Sequence, residues 1–89
     1  MKVLYRELFL KDLKKLRKQP IYEQIVEFAF TTLPKIKTLR EVSGVKAMRR
    51  HPKRYRIRIS NYRMGIEVKG DTIEIMRVLH RGEFYRYFP

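Results

Sequence analysis

Eight lysines and arginines and no carboxylate lie between Lys46 and Arg63, and within that stretch Arg54, Arg56 and Arg58 occupy every second position. On a strand, that spacing puts the three side chains on one face, about 6.7 Å apart along the chain. A planar guanidinium meets phosphate oxygens through two parallel hydrogen bonds, whereas an ammonium acts as a point charge. Solvated faces normally mix signs because neighbouring like charges repel, so an all-arginine face points to a polyanion. The same cations could also stabilise the extra negative charge of a phosphate under attack.

Residues for other chemistries are missing. Without cysteine there is no thiolate nucleophile, thiolate metal site or disulfide framework. His51 and His80 are distant in sequence, and no His, Asp or Glu cluster has metal-ligand spacing, so neither a metal nor another cofactor is expected. Ser43 and Ser60 fall in turn-like segments without a nucleophile elbow, and there is no glycine-rich phosphate loop. What remains is metal-free catalysis in which the substrate brings the nucleophile. RNA does so through its ribose 2′-hydroxyl, which DNA lacks. Arg81 and Tyr85, just past the last strand, can meet the arginine face; Tyr85 either packs with Phe84, Tyr87 and Phe88 or stacks on an unpaired base.

The 89 residues allow one domain, 1–89, with a single core. Twenty-two Lys and Arg against nine Asp and Glu give a net charge of +13, which favours nucleic acid as partner. Residues 1–20 carry +5, 46–63 carry +8, and the other two segments are neutral. No apolar run approaches the roughly 20 residues of a membrane span, and the charged Met1–Glu7 start does not read as a signal peptide, so a cytoplasmic protein without a membrane partner is expected.

Lys2 to Arg6 reads as a short strand. Phe9, Leu13 and Leu16 form one apolar stripe of a helix that Pro20 stops, and Ile21, Ile25, Phe28 and Ala29 continue in a second helix ending at Pro34. From Lys35 to Lys53 the pattern dissolves into an irregular link pinned by Ile36, Leu39, Val42 and Val45. Arg54 to Ile59 then alternates strictly, Ser60-Asn61 turns, Tyr62 to Val68 alternates again, and a third strand runs from Thr72 to Leu79. Tyr55, Ile57 and Ile59 pack beneath the helices. Antiparallel pairing then adds Arg63 to the exposed face of Arg54, Arg56 and Arg58.

This order, the blocks Tyr55-Arg56-Ile57-Arg58-Ile59 and Asn61-Tyr62-Arg63, and the ending His80-Arg81-x-x-x-Tyr85-Arg86 together resemble the RelE/ParE superfamily of bacterial toxins. The predicted fold is α+β: an antiparallel sheet of about four strands with an N-terminal helical hairpin on one face, in the order β-α-α-β-β-β. The resemblance implies a cognate acidic antitoxin that wraps the toxin, with operator DNA reached only through that antitoxin. In the RelE branch it also implies entry into the ribosome and cleavage of messenger RNA by 2′-hydroxyl attack.

Carried over residue by residue, the family's paired basic positions fall on Arg56 and Arg58, its next-strand arginine on Arg63, and its C-terminal pair on Arg81 and Tyr85. Arg56, Arg58 and Arg63 would hold the scissile phosphate, Arg81 the transition state or leaving oxygen, and Tyr85 a base. Lys46, Arg49, Arg50, Lys53 and Arg54, with the lysines of the first helix, would contact RNA. Related enzymes can place lysine or histidine as general base where this chain has Arg58, a poor proton acceptor at neutral pH. That leaves Tyr85, His80 or His51 for the proton, histidine being the better-matched group. Two other readings are a ParE-like toxin that docks on DNA gyrase through its helical hairpin and a non-catalytic nucleic-acid-binding protein.

Overall fold

In the computed structural model, which describes residues 1–89, the strictly alternating segments form the floor of the molecule. Strands β1 (Lys2–Tyr5), β2 (Val45–Met48), β3 (His51–Ile59), β4 (Tyr62–Lys69) and β5 (Thr72–His80) make one sheet in the order β1-β5-β4-β3-β2. The β2-β3-β4-β5 ladder is antiparallel, and β1 joins β5 in parallel. The expected α+β order holds; the sheet has five strands and is mixed. β2 lies inside the stretch read as irregular. Its four residues are too few for a pattern, and pairing of Val45 with Ile57 and Lys46 with Arg56 makes it a strand.

The inner face carries Ile57 and Ile59 of β3, Met64 and Ile66 of β4, and Ile73, Ile75 and Val78 of β5, all buried. Helix α1 (Glu7–Lys15) covers it with Phe9 and Leu13. Helix α2 (Tyr22–Glu27) continues through a π-helical stretch, Phe28–Thr32, into a closing turn, α3 (Leu33–Lys35). Pro34 does not end this helix. The run stops at Lys35, one residue later, and the missing proline N–H leaves a carbonyl of the preceding turn without its helical donor. Within the π stretch the Ala29 carbonyl accepts the Tyr5 hydroxyl at 2.8 Å. Partial burial raises the Tyr5 pKa, which keeps that O–H a donor.

The link after α3 is ordered by one carboxylate. Glu41 accepts the N–H groups of Lys37 at 2.8 Å and Thr38 at 2.9 Å, and those bonds, Thr38 first, lower its pKa. The contribution is therefore complete above the ordinary value of 4.5 and lost as pH falls through the lower folded value. In a carbon-detected titration the Glu41 carboxyl should have its midpoint below 4.5; a midpoint at or above it would mean the two bonds are not formed in solution.

Candidate functional site: a basic cleft beside the C-terminal helix

Register decides which side chains share the outer face. Arg54 lies opposite Glu67, Arg56 opposite Gly65, and Arg58 opposite Arg63, so the four arginines do project to one side. Two expectations about that side need correction. It is not free of acid, because Glu67 sits across from Arg54. Nor is it fully open, because the tail is a helix, α4 (Arg81–Tyr87), that lies on it.

Gly65 shows how α4 is seated. A Cβ built on Gly65 would stand 2.7 Å from the Phe88 ring, so that ring occupies the outward position between Arg56 and Arg77. Phe84 is buried with it, the two rings 5.2 Å apart. Along the chain, the i, i+4 spacing of Phe84 and Phe88 was the available signal for this helix.

On the β2–β3 side of α4 a cleft of about 510 Å³ is lined by Lys46, Ala47, Met48, Arg49, Arg56 and Tyr85. No carboxylate is among them. Arg56 is oriented by an Nη1 bond to the Gly44 carbonyl at 3.1 Å, while its buried Nε has no partner. Tyr85 is 58% exposed, so its ring is available to a ligand. Four of the residues singled out in the sequence thus converge: Lys46, Arg49, Arg56 and Tyr85.

The others are placed elsewhere. Arg63 folds back on the β3–β4 turn, its Nη1 donating to the carbonyls of Ser60 at 3.0 Å and Tyr62 at 2.9 Å. Arg58 faces it at the same end, and the Arg81 N–H donates to Asn61 O at 2.8 Å, so Arg58, Arg63 and Arg81 gather around the turn and lie outside the cleft lining. Arg50, His51 and Lys53 are exposed around the β2–β3 connection. Arg54 lies over the Phe88 ring, 5.7 Å from its centroid. His80 caps α4: its Nδ1 accepts the Gly82 N–H at 3.2 Å, and its ring stands edge-on to Tyr62. Neither histidine lines the basic cleft, so of the three proton-acceptor candidates Tyr85 alone is there.

Sequence reasoning missed the Asp12–Arg77 pair. Asp12 takes Nε of Arg77 at 2.7 Å and Nη2 at 3.0 Å, and accepts the Val78 N–H at 3.2 Å. β1 ends opposite Ile75, and Asp12 serves the part of β5 that β1 does not reach. The hydrogen bond to Asp12 raises the Arg77 pKa, outweighing partial desolvation. A carboxylate three residues after Phe9, within the apolar stripe of α1, was the readable sign.

A small, basic α+β chain whose sheet presents cations beside a C-terminal helix has the features of a type II toxin. The family model described as ParE toxin of type II toxin-antitoxin system, parDE, matches residues 3–85, and the chain belongs to the RelE/ParE toxin superfamily. It is similar to Toxin RelE3 of Methanocaldococcus jannaschii, 39% identical over 94 aligned residues that cover both chains completely. Among solved structures it resembles a chain of the RelB-RelE antitoxin-toxin complex of Methanococcus jannaschii, with TM-score 0.77, 36% identity and coverage of 97% of this chain and 99% of that one. A second likeness is to the toxin-antitoxin complex RelBE2 of Mycobacterium tuberculosis, with TM-score 0.71, 31% identity and coverage of 90% and 96%.

Proposed function

We propose that this toxin is a ribosome-dependent endonuclease that cuts messenger RNA without a metal. The observation that carries the reading is the acid-free cleft in which Lys46, Arg49 and Arg56 meet Tyr85. In the reaction the ribose 2′-oxygen bonds to the adjacent phosphorus and the bond to the 5′-oxygen breaks. A cyclic phosphate and a 5′-hydroxyl result. The 2′-proton must leave and the 5′-oxygen must gain one. Arg56 and Lys46 offset the charge that builds on the phosphoryl oxygens, and Tyr85 supplies the cleft's proton-transferring hydroxyl and a stacking face. Arg58, Arg63 and Arg81 hold the backbone where it passes the β3–β4 turn. The remaining cations, Arg50 and Lys53 with the α1 lysines, contact ribosomal RNA.

Primer extension on translating ribosomes tests this. Arg56→Ala should slow cutting by about 10²–10³-fold, the scale of losing one oxyanion donor. Tyr85→Phe keeps the ring and should cost at least about 10²-fold if the hydroxyl moves a proton. Normal cutting by both variants would sink the reading.

The partner in this reading is an acidic, amphipathic antitoxin that covers the arginine face or displaces α4, in the cytoplasm; its affinity should fall with salt. No helix here is long and apolar enough to cross a membrane. A second reading, gyrase poisoning, is favoured by the ParE family match and by Leu10 and Phe30, exposed on α1 and the π stretch. Inhibition of gyrase supercoiling with no RNA cleavage would establish it instead.

A further inference from the structure

The seven residues of α4 are far too few for a helix to hold its own shape in water, where about 12–15 are already marginal. Its position must come from what grips it. Two arginines on the strands flanking β4 meet the two consecutive aromatic residues at its end. Arg54 of β3 lies 5.7 Å from the Phe88 ring centroid, and Arg77 of β5 lies 5.5 Å from that of Tyr87. Phe88 closes the final turn through its N–H to Phe84 O at 2.9 Å, so both cations also stand near the negative end of the helix dipole. Arg77 is held in place by Asp12. Arg54 forms no ion pair with a carboxylate.

We propose that Arg54 and Arg77 are positioning residues: together they clamp Phe88 and Tyr87, and so hold Tyr85 over the basic cleft. The clamp is a property of this chain's own packing; only its effect on catalysis rests on the endonuclease reading. Arg54 therefore acts inward, on Phe88, rather than as a contact to RNA.

The test compares Arg54→Met, which keeps an apolar stem, with Arg54→Lys, which keeps a cation, and adds Tyr87→Leu at an exposed ring. Amide hydrogen exchange of the full-length protein reads α4 directly. Arg54→Met and Tyr87→Leu should each speed exchange at Tyr85 and Phe88 about two- to fivefold, the scale of one cation–π contact. Amides of β4 and β5 should not change, and Arg54→Lys should restore protection. Where RNA is cut, kcat should fall, by no more than that factor, with KM held. Equal protection in Arg54→Met and Arg54→Lys would overturn the clamp, leaving ring packing alone to seat α4. A raised KM without faster α4 exchange would also overturn it and return Arg54 to RNA contact. A wild-type protein that cuts no RNA but still shows faster α4 exchange in Arg54→Met would refute the endonuclease reading and leave the clamp standing.

Discussion

Gly65→Ala should detach α4 from the sheet while leaving the helical side of the fold intact. The added methyl would lie 2.7 Å from Cδ1 and Cε1 of Phe88 and 2.8 Å from Cγ, closer than a Cβ and an aromatic carbon can approach. The opposing face of the sheet is filled by Met64 and Ile66, so β4 cannot retreat and the ring has to move. Overpacking of this kind costs about 1–3 kcal/mol, which lowers the docking equilibrium constant of α4 by about 5–150-fold. Exchange of the Phe84, Tyr85 and Phe88 amides should quicken accordingly, and where RNA is cut, cleavage should fall by up to that factor because Tyr85 leaves the cleft wall. Gly82→Ala is the contrasting change. Its Cβ would meet only His80 Nδ1, at an ordinary 3.5 Å, and alanine suits a helix better than glycine by up to about 1 kcal/mol. Protected α4 amides and cutting within twofold of wild type in Gly65→Ala would refute this account of the seat.

The largest loss of global stability is expected from Asp12→Ala. Asp12 is 5% exposed, and its removal leaves a largely covered guanidinium and the Val78 N–H without their acceptor. Breaking a buried pair by deleting one partner costs about 3–5 kcal/mol, most of it from the charge left behind. At ~4–8 °C per kcal/mol for a domain of this size, the melting temperature should drop by more than about 10 °C. Removing both charges is a different experiment. Asp12→Leu combined with Arg77→Met should cost clearly less than Asp12→Ala alone, although the Val78 N–H still loses its bond. Chemical denaturation that gave Asp12→Ala a loss under about 1 kcal/mol would show the pair to be solvated in practice.

How far these features can be read along the chain depends on their range. The alternation of Arg54 to Ile59 and of Tyr62 to Val68 is a local property, and with a two-residue turn between them it forces Arg56, Arg58 and Arg63 onto one face, as the register has it. The stripe of Phe9, Leu13 and Leu16 is equally local. Val45–Met48 is not: four residues without a pattern become β2 only because β3 offers a free edge. The helical tail is intermediate. Phe84 and Phe88 mark one face of it, but a helix this short depends on Gly65 across the sheet for its place.

The amino-acid order by itself determined the class of fold, the concentration of positive charge between Lys46 and Arg63, and the side of the sheet to which that charge turns, because each follows from side-chain period and composition over neighbouring residues. Tertiary structure alone decided which of those cations share a cleft. Arg63 is drawn to its own turn, Arg54 to Phe88 and His80 to the Gly82 N–H, while Lys46, Arg49, Arg56 and Tyr85 are brought together from β2, the turn after it, β3 and α4. The Arg54–Phe88 contact and the cleft join residues far apart in the chain, at separations that no local pattern encodes, and the short-range bonds of Arg63 and His80 depend on which way each side chain turns, which side-chain period does not fix.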